Sequence, residues 1–403
     1  MHIVFLTTEF PGITDQNGGI GEYTHKTAKK LVTYGHKVTV VVAGPGNFVK
    51  NINNVEIISF KALDYWRGID GGVVDQAFRV LKMLINSYKF QKTVRDLSRI
   101  SHIDVLQSPN YLFPTVFFDN KSFPVICRVS SYSPLLRNAY GKKRTLINGL
   151  EDLLEVLSVK KTFRVFSPSK FMADIYSRLL HKDKVPVIRT IIGEIVPKFE
   201  PNPRGEKAKS PRKYKLITYF GSLSKVKGVD LIADVLPDIL RNQNVKFLFI
   251  GKDYGIPGYG SVSEYIRSKS GSCSTSVIIK EQMGKNELWK YVRDSYCCLF
   301  PSRIDNLPNA CLEAISLGIP VIGSTNSSLD EMIDDGKTGF LFENSNSEDL
   351  YLKIVQMLEL SSEEYKEMRV NVKILYKEFL NENRLQDLIN FYEKTINEYR
   401  KYK

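Results

Sequence analysis

The stretch IVFLTTEFPGITDQNGGIGEYTHKTAKKLVTYGHKVTVVV, Ile3–Val42, decides the fold class. It opens on a short apolar run, Ile3–Thr7, and passes through a loop rich in Gly and Pro. From Ile20 to Tyr34 the apolar residues recur at helical spacing, and Gly35 stands where a helix C-cap is expected. Lys37–Val42 is then a β-branched strand. Strand, crossover helix and strand make a βαβ unit, which favours a parallel sheet with helices on both faces.

The alternation continues outward from that unit. Val55–Phe60, Val105–Gln107, Val125–Val129 and Val165–Ser167 read as further strands. PNPRGEKAKSPRKY, Pro201–Tyr214, is polar and basic and has no apolar period, so it reads as a linker or exposed loop. Behind it the pattern restarts. Lys215–Phe220 is a strand, Val229–Leu240 a helix, and Val245–Ile250, Val277–Lys280, Cys297–Phe300 and Pro320–Gly323 are strands. The C-terminal end is helical and charged. Two open α/β sheets in one chain place a cleft between them, and ligands of such sheets bind beyond the carboxyl ends of the strands. A chain of 403 residues has the length for two domains.

Hydrophobic content of 43% and charged content of 25% are those of a soluble globular protein. Cys127, Cys273, Cys297, Cys298 and Cys311 form no CxxC or Cys/His metal spacing, and an odd count suits a reduced compartment. The N-terminal MHIVFLTTEF lacks a basic region and a cleavage site and is too short to span a membrane; it reads as a first strand. Charge is uneven. Residues 1–200 hold 28 Lys+Arg against 17 Asp+Glu, or +11, and residues 201–403 hold 29 against 27, or +2. A basic first half suits a nucleic acid, an anionic membrane surface or a phosphate-bearing substrate; a solvated basic surface accounts for it as well. Basic and aromatic residues are not interleaved in a recognition motif, which argues against nucleic acid.

Four loops after strands carry candidate chemistry. Gly18-Gly19 precedes the first helix, where close backbone approach and free N–H groups suit a diphosphate; a tight turn explains the pair equally. GSLSKVKGVD, Gly221–Asp230, offers Lys225 and Lys227 at a strand-to-helix junction, again suited to phosphate or to solvent. FIGKDYGIPGYGS, Phe249–Ser261, is a third strand end running into a Gly-rich loop, nucleotide-proximal or an ordinary connection. PSRIDNLPNACLEAISLGIPVIGS, Pro301–Ser324, sets Asp305 in a loop and Glu313 near the first turn of a helix capped by Asn309, with both acids toward the cleft. Carboxylates accept paired hydrogen bonds from vicinal hydroxyls; a favourable helix-dipole acid and a turn residue are the plain alternative.

Taken together, and in this order along nearly the whole chain, these stretches and SPSKFMADIY resemble a retaining glycosyltransferase of family 4. The last stretch looks like that family's Glu-x7-Glu signature, in a variant with Asp-Asn-Leu-Pro-Asn in the middle. The resemblance implies the GT-B fold: two Rossmann-like, doubly wound parallel-sheet domains facing across a cleft. It implies an acceptor domain at 1–195, a nucleotide-sugar domain at 196–385 and a terminal helix at 386–403 packing back on the first. Gly18 and Gly19 would give amides to the donor diphosphate, and Lys227 would hold the same group, with Ser222 and Lys225 beside it. Glu313 would bind the ribose hydroxyls, Asp305 the donor sugar, and the backbone at Asn306, Leu307 and Asn309 would add sugar contacts. Asp305, Lys227 and Glu313 form the implied catalytic set, with no metal because no Asp-x-Asp motif is present.

Some positions depart from that pattern. Asp305 is one methylene shorter than the usual glutamate, Ser222 replaces a frequent arginine, and Pro308 replaces a frequent glycine. A first-domain histidine is missing, and the sugar or acceptor side falls to Gln107, Ser108, Arg128, Ser130 and Tyr132. The implied reaction takes a sugar from a nucleotide-sugar, UDP-linked by default and GDP-linked as the alternative. The acceptor is a glycan or lipid-linked saccharide of a surface polysaccharide such as capsule or O-antigen. A cytoplasmic protein, peripheral on the inner face of the membrane, is the implied location. The basic residues around LINGLEDLLEVL would meet anionic lipid, while its leucines read as the core face of a helix. A GT-B binder without turnover, or a GT-B epimerase, would share the architecture.

Overall fold

The computed structural model describes residues 1–14, 18–65, 71–190, 214–242, 244–256, 258–380 and 383–403. The linker expected at Pro201–Tyr214 lies outside them, apart from Tyr214 itself. The chain divides into two compact units: Met1–Pro134, Lys143–Ile191 and Glu382–Lys403 form the first, and Leu135–Lys142 with Ile192–Asn381 the second.

The first unit begins with β1 (His2–Thr7), α1 (Gly19–Thr33), β2 (Lys37–Gly44), β3 (Phe48–Ile52) and β4 (Val55–Lys61). It continues with α2 (Val73–Ile100), β5 (Val105–Pro109) and β6 (Val125–Arg128); α3 (Ser133–Ala139) follows, most of it counted with the second unit, and then α4 (Leu146–Lys160), β7 (Arg164–Phe166) and α5 (Lys170–Leu180) return to the first. The strand order is β3-β4-β2-β1-β5-β6-β7, parallel except for β3, an antiparallel edge strand that the sequence reading omitted. β3 has little burial, so its period-2 signal is weak.

The second unit runs β8 (Lys215–Phe220), α6 (Val229–Asn242), β9 (Val245–Ile250), α7 (Val262–Ser270), β10 (Val277–Lys280) and α8 (Lys285–Val292). Then come β11 (Cys297–Phe300), α9 (Asn309–Ser316), β12 (Val321–Ser324), β13 (Gly339–Phe342), α10 (Ser347–Glu359) and α11 (Ser362–Phe379). Its sheet, β10-β9-β8-β11-β12-β13, is parallel throughout. Buried on both faces, the inner strands read as continuous apolar runs such as KLITYF and VKFLFI. Both units are doubly wound α/β sheets, and the fold is GT-B.

The last helix, α12 (Asn383–Tyr402), belongs to the first unit. Leu385, Leu388, Ile389, Tyr392 and Ile396 come from one of its faces and join the core beneath β1 and β2. α4 reverses one expectation. Leu146, Leu150, Leu153 and Leu157 are exposed, Leu154 packs against the small core of Tyr65 and Met83, and Asn148, Glu151, Asp152 and Glu155 are buried with Ser158 and Val159. Polar partners inside the unit draw those acids inward, as described below.

Candidate active site

In the second sheet the strand order reverses between β8 and β11, so the loops leaving those two strands lie side by side. Arg303 fastens one to the other. Its amide donates to the Val226 carbonyl at 2.8 Å, and its guanidinium grips the Asp230 carboxylate at 2.6 and 2.8 Å while also donating to the Lys225 carbonyl. Such a forked pair fixes geometry as well as charge. Gly228 lets the loops touch: its φ is +69°, and a Cβ there would stand 1.8 Å from the Pro301 carbonyl oxygen.

Held in this way, Lys227 Nζ reaches Asp305 Oδ2 at 2.6 Å. The Ser302 hydroxyl donates to the same oxygen at 3.0 Å, and the Asn306 amide donates to Oδ1 at 3.0 Å. The side chains of Lys227 and Asp305 are 32% and 13% exposed, so the lysine keeps a solvent-facing side that the acid lacks. Leu307 follows at φ +52°, an uncommon region for a leucine, and its amide donates to the Ser328 hydroxyl. The strained turn presents its backbone beside Asp305.

Two details of the loop differ from the sequence reading. Pro308, not Asn309, is the N-cap of α9, and no side chain caps the helix. Glu313 is therefore the fifth residue of α9, past the first turn, where the helix dipole accounts for little of its placement. It is buried, with Lys285 Nζ 3.2 Å from its Oε1. The Ser222 carbonyl accepts the Tyr219 hydroxyl at 2.7 Å; burial pushes that phenol's pKa well up, with Asp305 adding to the effect. The Gly-rich loop after β9 closes on its own acid. Asp253 accepts from the amides of Gly255, Val262 and Ser263 and from the Ser261 hydroxyl. Burial works against that carboxylate, yet the amides win and hold its pKa at about 2.

The first sheet has its own reversal, between β1 and β5. Gly18 is the N-cap of α1 and Gly19 its first residue. Here the helix start holds a carboxylate of the chain itself. Glu9 Oε2 accepts the Gly18 amide at 2.9 Å, and a Cβ on Gly18 would come within 2.4 Å of that oxygen. Burial raises the Glu9 pKa, with the Gly21 and Gly18 amides opposing.

Gln107, 3% exposed, donates to the Tyr23 hydroxyl at 3.2 Å and accepts the Tyr392 hydroxyl of α12 at 2.5 Å. Arg128 lies over the Tyr23 ring at 3.8 Å and donates to Thr190 at 3.1 Å. Ser108 is buried against the Pro109 carbonyl. The Ser130 amide donates to Asn110, and Tyr132 packs on Tyr176. Asn110 and Tyr176 in turn both donate to the buried Glu155 of α4, whose pKa burial raises.

The structure thus brings Lys227, Asp305, Asn306 and Leu307 together and gathers Gln107 and Arg128 on Tyr23. Arg303, Lys285 and Glu9 were not singled out from the sequence. Arg303 sits two residues before Asp305, which was its one signal. Lys285 and Glu9 meet their partners only through the fold.

Residues 204–374 match the family model described as Glycosyl transferases group 1. That segment is a glycosyltransferase group 1 domain. An uncharacterized glycosyltransferase of Methanocaldococcus jannaschii is 22% identical, over 98% of this chain and 98% of its own length. A glycogen synthase of Natranaerobius thermophilus is 28% identical over 36% of this chain; the match spans 29% of that longer enzyme. Among solved structures, sucrose-phosphate synthase from Thermosynechococcus elongatus superposes with a TM-score of 0.73 at 14% identity, covering 98% of both chains. A trehalose-6-phosphate enzyme of E. coli, bound with UDP-2-fluoro glucose, gives 0.71 at 12% identity over 97% of this chain and 99% of that one. The chain is a glycosyltransferase, and the loops of its group 1 domain that meet at Lys227 and Asp305 are its candidate donor site.

Proposed function

We propose that this glycosyltransferase is a retaining enzyme of family 4. It moves a hexosyl group from a UDP-sugar to a saccharide or lipid-linked saccharide in surface polysaccharide synthesis, at the inner face of the cytoplasmic membrane. The observation that carries the proposal is the Lys227–Asp305–Ser302 array at the reversal point of the second sheet. In this reading Lys227, with Lys225, meets the donor diphosphate, and Asp305 holds Lys227 in place while its Oδ1 faces a sugar hydroxyl. The backbone at Asn306, Leu307 and Asn309 lines the sugar, and Ser222 lies beside the phosphates. Glu313, steadied by Lys285, takes the ribose hydroxyls. At the start of α1 in the first unit, Gly19 is the amide this reading offers to a phosphate, and Gly18, whose amide Glu9 takes, would reach one only if Glu9 moved aside. On the acceptor side, Ser130 and Tyr132 are half-buried and within reach of a ligand. Gln107, Ser108 and Arg128 are buried and act through the neighbours they hold, Tyr23, Tyr392, Thr190 and the Pro109 carbonyl.

The acceptor hydroxyl oxygen bonds to the anomeric carbon on the face that the diphosphate leaves, so configuration is kept. The anomeric carbon–oxygen bond breaks, and the hydroxyl proton passes to the departing phosphate oxygen. Lys227 stabilises the charge that develops there, and this electrostatic help is the largest contribution the protein makes.

A thermal-shift panel with UDP, GDP, ADP and CMP and their sugar conjugates tests the reading. A ligand at about 100 times its Kd stabilises by about 2.7 kcal/mol, a midpoint shift of a few degrees. A shift with UDP that disappears in Lys227→Ala is the expected result. A shift of equal size in Lys227→Ala would overturn the site assignment.

A further inference from the structure

We infer that α2 and α4 together form a docking face for an anionic lipid surface. The inference rests on the membrane-peripheral part of the proposed function and names where that contact is made. α4 is turned against the usual rule for a helix in water. Leu146, Leu150, Leu153 and Leu157 recur at helical spacing and are 94%, 44%, 54% and 39% exposed. A helix could normally roll to bury such a stripe. Here it cannot, because the opposite face is committed. Glu151 pairs with Arg79 of α2, Asp152 with Arg144 at 3.3 Å, and Glu155 accepts from Asn110 and Tyr176. Rolling the helix would swing those acids out to solvent and leave Arg79, Asn110 and Tyr176 buried without their partners.

α2 continues the same face. Val74, Phe78, Leu81 and Ile85 follow one another at steps of four, three and four and are all exposed. The Arg79–Glu151 pair and the Thr145–Gln76 hydrogen bond hold the start of α2 against α4. An apolar patch carried on two adjoining helices marks an interaction surface.

Charge selects the occupant. All three acids of α4 point inward, whereas Lys143, Arg144 and Lys160 stand exposed at its ends. Lys92 and Arg95 continue α2 beyond its apolar stretch, also exposed. Leucines and a phenylalanine between cations suit the boundary between lipid headgroups and acyl chains, where the apolar side chains insert and the cations meet anionic headgroups. No described helix is long and apolar enough to cross a membrane, so contact at the surface is the mode this face fits.

The test uses the full chain and two kinds of vesicle, phosphatidylcholine alone and phosphatidylcholine with phosphatidylglycerol. Co-sedimentation is read for wild type, for Leu150→Ser/Leu153→Ser, and for Lys143→Glu/Lys160→Glu. Wild type is expected to sediment with the anionic vesicles, and each double variant to bind roughly tenfold or more weakly. All three remaining in the supernatant, or both variants binding like wild type, would overturn the inference. So would a dimer in light scattering that the leucine variant splits, since a second copy would then cover the face. The UDP thermal shift is measured on the same samples. Its loss in every sample with vesicle binding intact would sink the donor assignment and leave the docking face standing; the opposite pattern would do the reverse.

Discussion

Apart from the antiparallel edge strand β3 of the first, the two sheets share one strand order and reverse it at equivalent points, yet the reversal points carry different electrostatics. In the first unit, the helix start after β1 is met from inside by Glu9, whose carboxylate takes the Gly18 amide. In the second, the loop after β8 carries Lys227, paired with Asp305 but still partly open to solvent. The topology makes a crevice in both units, and the side chains decide whether it arrives already neutralised or with a cation to offer. The left-handed Leu307 lies in this loop of the second unit, and the forked ion pair Arg303–Asp230 lies one step from the site.

The contrast breaks most directly through activity. Lys227→Ala should lower kcat/KM by roughly 10²–10³, as loss of one preorganised contact to developing charge does. Glu9→Gln should stay within about tenfold of wild type by the same measure, because it removes no cation. Equal losses in both variants, with both proteins folded, would erase the distinction between the two crevices.

Next in size comes the frame of the second site. Arg303→Met leaves Asp230 without its partner in a mostly buried setting and should destabilise by about 2–4 kcal/mol in urea unfolding. Arg303→Lys should recover little of that loss, since an ammonium cannot reproduce the fork. Full rescue by lysine would mean that charge alone matters there.

Acid titration separates the units by sign. Burial raises the folded pKa of Glu155, so its protonation favours the fold: the stability it brings is present at low pH and is lost as pH rises through the raised value. Wild type should therefore gain on Glu155→Gln as pH falls toward the free-group value of 4.5. Asp253 is the opposite case, held at about 2 against 3.8 for the free group, so its stabilisation is present above 3.8 and fades as pH drops toward 2. Melting midpoints of Asp253→Asn should approach those of wild type over that lower window. Parallel pH profiles for a variant and wild type would remove the corresponding carboxylate from the account. The smallest effect is expected at Tyr392→Phe, which deletes the hydrogen bond to Gln107 and should cost about 1 kcal/mol.

Much of the fold was legible because its strands are unambiguous. Buried on both faces, β8, β9 and β11 appear as apolar runs with the same boundaries in sequence and structure, and the edge strand β10 keeps its boundaries though it is not buried. β3 and β13 were not, being short and, for β3, largely exposed. Lys227, Asp305 and Glu313 could be singled out because each follows a strand end in a recognisable motif. Arg303, Lys285 and Glu9 could not, because they reach Asp230, Glu313 and the Gly18 amide across space, and no local spacing encodes that. α4 misled for a related reason: its leucines have the period of a core face, and periodicity does not say which face is covered.

What the sequence by itself determined is therefore the run of strands and helices, the doubly wound class and the loops that bear chemistry. These depend on side-chain period and glycine placement, which are local properties. Only the tertiary structure decided that Lys227 meets Asp305, that Glu9 sits on the Gly18 amide and that α4 turns four of its leucines outward. Each of these follows from which partners the folded chain brings within hydrogen-bonding or packing distance, because a buried acid is stable only where donors or cations already wait for it.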